Sequence, residues 1–306
     1  MKKSFLFVFN PFSRGYSESM LWSVKRCARN SGLELYISET KLDKNGNCII
    51  DFPKEKCSSI WVAGGDGTFN GVVNAMAREN WLDVPVGILP RGTANVLATE
   101  YGMKSIGKRS IPEIFGSCIV REHDLGVMNG RIFLMSAGCG IDAEVMKSVN
   151  PVLKRFFGTL AYFVTVLKVS TMLKSLPLLR VTHSSGRVME GNWFLAANAS
   201  RYAGDFAITK GNPFDDEMEC FVFNVQNSFS FFKKVLELTQ RRIGETESII
   251  LKRGDKIIID GAKVCQIDGE YFDIFENNEM SFYPKKLKVF VASALCLPPA
   301  HLPKNV

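Results

Sequence analysis

Closely spaced cysteine pairs are missing from this sequence. Eight cysteines occur in 306 residues, at Cys27, Cys48, Cys57, Cys118, Cys139, Cys220, Cys265 and Cys296, and none forms a CxxC pair. Structural zinc sites and dithiol redox motifs are built on such pairs, so both classes are disfavoured and the thiols are expected to be reduced. Long apolar runs are missing too. The longest uncharged stretch in the middle of the chain is Phe156–Leu167, closed off by Arg155 and Lys168, whereas a membrane span needs about 20 apolar residues. The apolar run after Met1-Lys2-Lys3 falls short of the roughly 7–15 residues of a secretory leader. A cytoplasmic protein is therefore expected, peripheral at the inner membrane face. Histidine is scarce, and His123, His183 and His301 form no ligand or triad pattern. Neither GxxxxGKS, GxxxxGKT nor GxGxxG occurs, which excludes a Walker loop and disfavours a dehydrogenase-type dinucleotide fold. Lys and Arg number 38 against 31 Asp and Glu, a net charge of +7. That surplus suits anionic partners, but without a recognition motif or a dense basic stripe no nucleic acid is expected among them.

What the chain does have is a change of texture near residue 120. Before it, apolar strand candidates at Phe5–Phe9, Leu33–Ser38, Ile60–Ala63 and Val84–Leu89 alternate with helix candidates at Glu18–Asn30, Phe69–Arg78 and Ala94–Tyr101. Such alternation implies a parallel sheet covered on both faces. After it come short β-rich segments, at Arg131–Met135, Leu178–His183, Asn192–Ala197, Cys220–Val225, Lys256–Ile259 and Lys263–Ile267, punctuated by turn dipeptides such as Asn129-Gly130 and Asp260-Gly261. These read as an antiparallel sandwich interrupted by a helical insertion at Pro151–Leu176. The expected domains are 1–122 and 123–306, with the C-terminal tail free to return to the first.

Three polar, glycine-containing loops fall at carboxyl ends of strands in the first half: Asn10-Pro11-Phe12-Ser13-Arg14-Gly15, Gly64-Gly65-Asp66-Gly67-Thr68, and Leu89-Pro90-Arg91-Gly92-Thr93-Ala94-Asn95. Glycine lets backbone approach a phosphate, and a helix start supplies free N–H groups and the positive end of a dipole. An acidic Asp66 inside such a loop suits Mg²⁺ or the groups around it.

Taken in order, these loops resemble the diacylglycerol kinase catalytic-domain family, which includes bacterial lipid kinases and is related to sphingosine and ceramide kinases. Further matching segments are Asp124-Leu125-Gly126, Gly138–Ala143, Lys154–Tyr162, Asp215-Asp216 and Asp268-Gly269-Glu270. The resemblance spans nearly the whole chain. It implies an α/β kinase-like domain shared with NAD kinases, a β-sandwich second domain, and ATP as phosphoryl donor with Mg²⁺. By resemblance Asn10, Ser13, Thr40, Gly64, Gly65, Asp66, Gly67, Thr68, Gly92, Thr93 and Asn95 bind the nucleotide. Glu270 is the general base toward a lipid hydroxyl, with Asp268 as support or alternate. Asp66 and Asp124 attend the active-site metal, and Asp215 and Asp216 a structural one. The chain departs from the pattern at Gly71, where the family frequently has Glu, at Val96, where it often has Asp, and at Glu217, where Gly is usual.

The expected partner beyond ATP is a lipid substrate at a membrane surface, with a homodimer as one admissible assembly. The insertion at 151–176, rich in Phe and flanked by Lys154, Arg155, Lys168 and Lys174, suits an anionic bilayer or a core position over the sandwich. Two alternatives stay open at this point: a kinase of a soluble hydroxyl on the same scaffold, as NAD kinases are, and a non-catalytic nucleotide- or lipid-binding protein.

Overall fold

The computed structural model describes residues 4–13, 15–30, 32–103, 118–148, 176–202, 206–207, 209–240, 242–273 and 278–293. The expected insertion thus lies, but for Leu176, outside the described residues, as does the Lys154–Tyr162 segment. The chain divides into two compact units, residues 1–122 with 288–306, and 123–287.

The first unit is a six-stranded sheet. β1 (Ser4–Phe9) is buried at every position, which requires cover on both faces and explains its unbroken apolar run. α1 (Glu18–Asn30) turns Met20, Val24, Cys27 and Ala28 inward at helical spacing, and β2 (Glu34–Glu39) follows as the half-exposed edge. The stretch between the second and third expected strands holds a small hairpin, β3 (Lys41–Leu42) with β4 (Cys48–Ile49). Then come β5 (Ser59–Gly64), α2 (Asp66–Arg78), β6 (Val86–Pro90) and α3 (Val96–Glu100). α2 buries Phe69, Val72, Val73, Ala75 and Met76. It starts three residues before the expected Phe69, so the glycine loop itself forms the helix N-terminus. β7 (Cys118–His123) closes the sheet, together with the last strand among the described residues, β22 (Leu287–Ala292). The strand order is β2-β1-β5-β6-β22-β7, and pairing is parallel from β2 through β22.

The second unit is a β-sandwich. One sheet, in the order β17-β16-β13-β10-β19-β20, joins β17 (Ser248–Lys252), β16 (Glu217–Phe223), β13 (Trp193–Ala197), β10 (Ser136–Gly140), β19 (Val264–Ile267) and β20 (Glu270–Asp273). The other, β12-β11-β18-β21-β8-β9, joins β12 (Val188–Gly191), β11 (Leu179–His183), β18 (Lys256–Asp260), β21 (Asn278–Phe282), β8 (Gly126–Met128) and β9 (Arg131–Phe133). A two-stranded ribbon, β14 (Arg201–Tyr202) with β15 (Phe206–Ala207), stands apart. Phe133, Phe194, Met218, Ile257 and Met280 fill the space between the sheets. The first sheet is covered on its outer face as well. α4 (Ile141–Ser148) and α5 (Ser228–Thr239) place Ile141, Val145, Phe231 and Leu238 against Trp193, Leu195, Phe221 and Phe223. That double cover is why β13 reads as a continuous apolar run, while β11 alternates with period two.

Candidate active site

In the first unit, strand order reverses between β1 and β5, because the chain leaves β1 for β2 on one side and re-enters on the other. Ligands of open α/β sheets sit outside the strand ends at such a reversal. The loops on either side are tied across it. Asn10 donates its side-chain amide to Thr68 Oγ1 at 3.2 Å, and its Oδ1 accepts the Phe12 amide at 2.9 Å. Ser13 donates its hydroxyl to the Asn10 carbonyl at 2.8 Å. The Thr40 amide, at the end of β2, reaches the Phe9 carbonyl at 2.9 Å.

The third loop is bound in as closely. Arg91 donates its amide to Gly64 O at 2.8 Å and accepts from Gly15 N at 3.1 Å. A Cβ on Gly92 would lie 2.5 Å from the Gly65 Cα, and one on Gly64 would lie 2.6 Å from the Thr68 Cβ. Both glycines are therefore set by close approach. Asn95 sits in the left-handed region, at φ 51°, and closes the loop through two 2.8 Å bonds with the Gly92 backbone. Asp66 faces inward: Oδ2 accepts the Val96 amide and Oδ1 the Leu97 amide, each at 3.0 Å. Burial raises its pKa, and those amide bonds oppose the rise. Asp66 and Asn95 thus shape the loops. The first-turn amides of α2 at Gly67 and Thr68, which lack intrahelical acceptors, and the exposed Thr93 hydroxyl are left to receive an anion. Arg91, half-buried in the same loops with its guanidinium on the Met20 sulfur and the Pro90 carbonyl, adds a cation to which the sequence reading gave no role.

In the second unit, Asp268-Gly269-Glu270 forms the turn between β19 and β20. Its two carboxylates differ sharply. Asp268, at φ 48°, accepts three amides, from Leu134 at 2.9 Å, Met135 at 2.8 Å and Ser136 at 3.0 Å. It holds the turn. Glu270 is exposed and opens β20 opposite Ile267.

A buried relay lies under this turn: it draws in Asp142 of the Gly138–Ala143 segment, while Gln266 and Tyr202 belong to no motif of the sequence reading. Gln266 accepts the Gly269 amide at 2.9 Å and donates to Asp142 Oδ2 at 2.7 Å. The Tyr202 hydroxyl donates to Asp142 Oδ1. Burial pushes the Asp142 pKa up to about 6. Gly138 is obligatory here, since a Cβ would come within 1.9 Å of Asp142 Oδ2.

The carboxylates expected to hold metal are otherwise engaged. Asp124 is fully buried and meets Arg253 Nη2 at 2.8 Å, Lys286 Nζ at 3.0 Å and the Asp216 amide at 2.9 Å. Asp216 meets Arg253 Nε at 2.7 Å and Lys286 Nζ at 2.8 Å. Those two cations hold the Asp216 pKa down to about 2. Asp215 is exposed and accepts the Glu217 amide. Two carboxylates facing two cations are already neutralised, which is what a divalent ion would otherwise supply. Among the described residues, no group of three or more acidic, histidine or cysteine side chains is placed to share an ion. Asp66, Asp124, Asp215 and Asp216 do not fit a protein-built magnesium cage.

The family model for the diacylglycerol kinase catalytic domain matches residues 4–128. A Staphylococcus aureus protein (strain bovine RF122) carrying the name "putative lipid kinase" is 30% identical over 220 residues, 69% of this chain and 70% of its own. A Staphylococcus carnosus protein with the same name is 29% identical over 215 residues, with the same coverage. A solved diacylglycerol kinase from Bacillus anthracis matches 96% of this chain and 98% of its own at a TM-score of 0.68 and 18% identity. An NAD kinase from Archaeoglobus fulgidus, solved with ATP, matches 94% and 93% at a TM-score of 0.50 and 12% identity. Both solved structures share the fold.

Proposed function

Because the chain belongs to the diacylglycerol kinase catalytic-domain family, we propose that it is an ATP-dependent lipid kinase, passing the γ-phosphoryl group of ATP to the hydroxyl of a diacylglycerol- or sphingoid-type acceptor. The observation that carries this reading is the interlocking of three separate loops at the β1/β5 reversal, through Asn10–Thr68, Gly15–Arg91 and Gly65–Gly92. Phosphoryl transfer asks a protein mainly for positioning and charge neutralisation. The amides of Gly67 and Thr68, the hydroxyls of Thr68 and Thr93 and the Arg91 side chain supply both for a polyphosphate. Glu270, exposed on a turn that Asp268 holds rigid, takes the acceptor proton. A magnesium ion bound together with ATP would supply further charge neutralisation, and the roles given to the protein groups do not depend on a cage. A lipid acceptor places the reaction at a membrane surface; no described helix is long and apolar enough to cross a membrane.

Labelled ATP offered with diacylglycerol, a sphingoid base and NAD tests the reading. Labelled lipid is the expected product. Glu270→Gln should lose about 10²–10⁴-fold in turnover, the typical worth of a positioned base, with ATP binding unchanged. Product from NAD alone, or full turnover by Glu270→Gln, would overturn it.

A further inference from the structure

Helix α5 presents apolar side chains on two sides. Its inner side is spent on the sandwich: Phe231 and Leu238 are buried and Val235 packs with them, with the Phe231 ring 5.3 Å from that of Trp193. Its outer side carries Phe229, Phe232 and Leu236, which are 80%, 37% and 56% exposed. Positions i, i+3 and i+7 share one helix face. The helix does not need these residues to start or to dock, since Asn227 and Ser230 form a reciprocal capping box and the inner side supplies the packing. Two phenylalanines and a leucine left in water on one face of a helix are characteristic of an interaction surface.

The charge around that face selects the partner. Lys233 stands beside it with 63% of its side chain exposed, and Arg242 is exposed just beyond the helix. The acidic Glu237 is mostly covered and already meets Lys233 at 3.8 Å and Lys234 at 2.7 Å. From Asn227 to Glu247 the sequence holds Lys233, Lys234, Arg241 and Arg242 against Glu237, Glu245 and Glu247, and Lys234 is already paired with Glu247 at 2.6 Å, so among the described residues the cations open to a partner are Lys233 and Arg242. An outward apolar stripe with cationic flanks matches an anionic bilayer, into which such a helix sinks its apolar face while its cations meet headgroups.

We propose that the outer face of α5 is the surface by which this protein docks on anionic lipid bilayers. The choice of a bilayer rests on the lipid-acceptor reading above, and the test separates the two. Partition of the full-length protein onto phosphatidylglycerol-containing and pure phosphatidylcholine vesicles is measured without ATP. Turnover of a short-chain, water-soluble diacylglycerol is measured in parallel. The parent should bind the anionic vesicles, less at high salt, and the neutral ones weakly. Phe229→Ser with Leu236→Ser should weaken anionic binding about tenfold or more, with helix content, melting temperature and short-chain turnover unchanged. Vesicle binding that this double variant abolishes, in a protein that phosphorylates no lipid, would sustain the docking surface and end the kinase reading. Equal binding by parent and variant, no binding by the parent, or a dimer that the double substitution splits into monomers would overturn the proposal.

Discussion

Single side chains in this protein are assigned by what occupies their oxygens. Asp268 and Glu270 are two residues apart, yet one accepts three amides and the other stands exposed, which is why the proposed base is Glu270. The sequence motif presents both as acids and cannot separate them, because the amides that engage Asp268 come from residues some 130 positions earlier. Asp66 is similar: its partners are the amides of Val96 and Leu97, in another helix. Gln266 has no signature of any kind, being a lone polar residue in a buried strand. Asp142 offers a test of this layer. Its folded pKa of about 6 lies above the ordinary 3.8 because it is buried. Between those values the folded chain keeps a proton that the unfolded chain releases, so stability falls as pH rises through that window. Asp142→Asn should remove a pH-dependent loss on the order of 3 kcal/mol between about pH 4 and pH 6, seen as a flatter denaturation midpoint against pH than the parent gives. Asp216, held at about 2 by Lys286 and Arg253, acts in the opposite sense and loses its contribution only as pH falls toward 2. A profile that Asp142→Asn leaves unaltered would refute the assignment.

At the scale of elements, the glycine loops and their strands were legible because backbone chemistry is written locally. A strand running into Gly64-Gly65-Asp66-Gly67 can only end in a tight corner. How the corners engage was not legible, since the Gly65–Gly92 contact joins segments that share no sequence pattern. Gly92→Ala should therefore push the two loops apart and cost more than tenfold in ATP affinity by calorimetry. The melting temperature should fall by only a few degrees, because strain at a loop rim costs on the order of 1–3 kcal/mol. Unchanged nucleotide affinity in Gly92→Ala would show that the contact is incidental. Helix α5 escaped the sequence reading for a related reason. Phe229, Phe231, Phe232, Val235, Leu236 and Leu238 cover about half of the helix surface, with Ser230, Lys233, Lys234 and Glu237 on the other half, and a short run so rich in Phe reads as readily as a strand. The helical insertion at 151–176, which suited either a bilayer or a core position, falls outside the described residues but for Leu176, and the exposed apolar face lies elsewhere.

At the scale of the molecule, the alternation of strands and helices followed by short β-segments correctly announced a parallel-sheet unit followed by an antiparallel sandwich. The path of the last strand was less evident. β22 is a plain apolar segment, and its place between β6 and β7 is set by which sheet edge it completes. Removal of everything after Leu287 should leave the nucleotide loops intact in sequence and yet yield insoluble protein, because β6 would present an unpaired, apolar edge. Soluble, ATP-binding material from that truncation would argue that β22 is dispensable.

That arrangement also dictates an order of events at the ribosome. The whole sandwich is threaded between two neighbouring strands of a single sheet, so the N-terminal half emerges first and must wait, unfinished, while the sandwich is synthesised. The first unit can close only when β22 has been made and reaches that sheet. A nascent chain stalled before β22 should attract chaperones and expose cleavage sites that vanish once that strand is added.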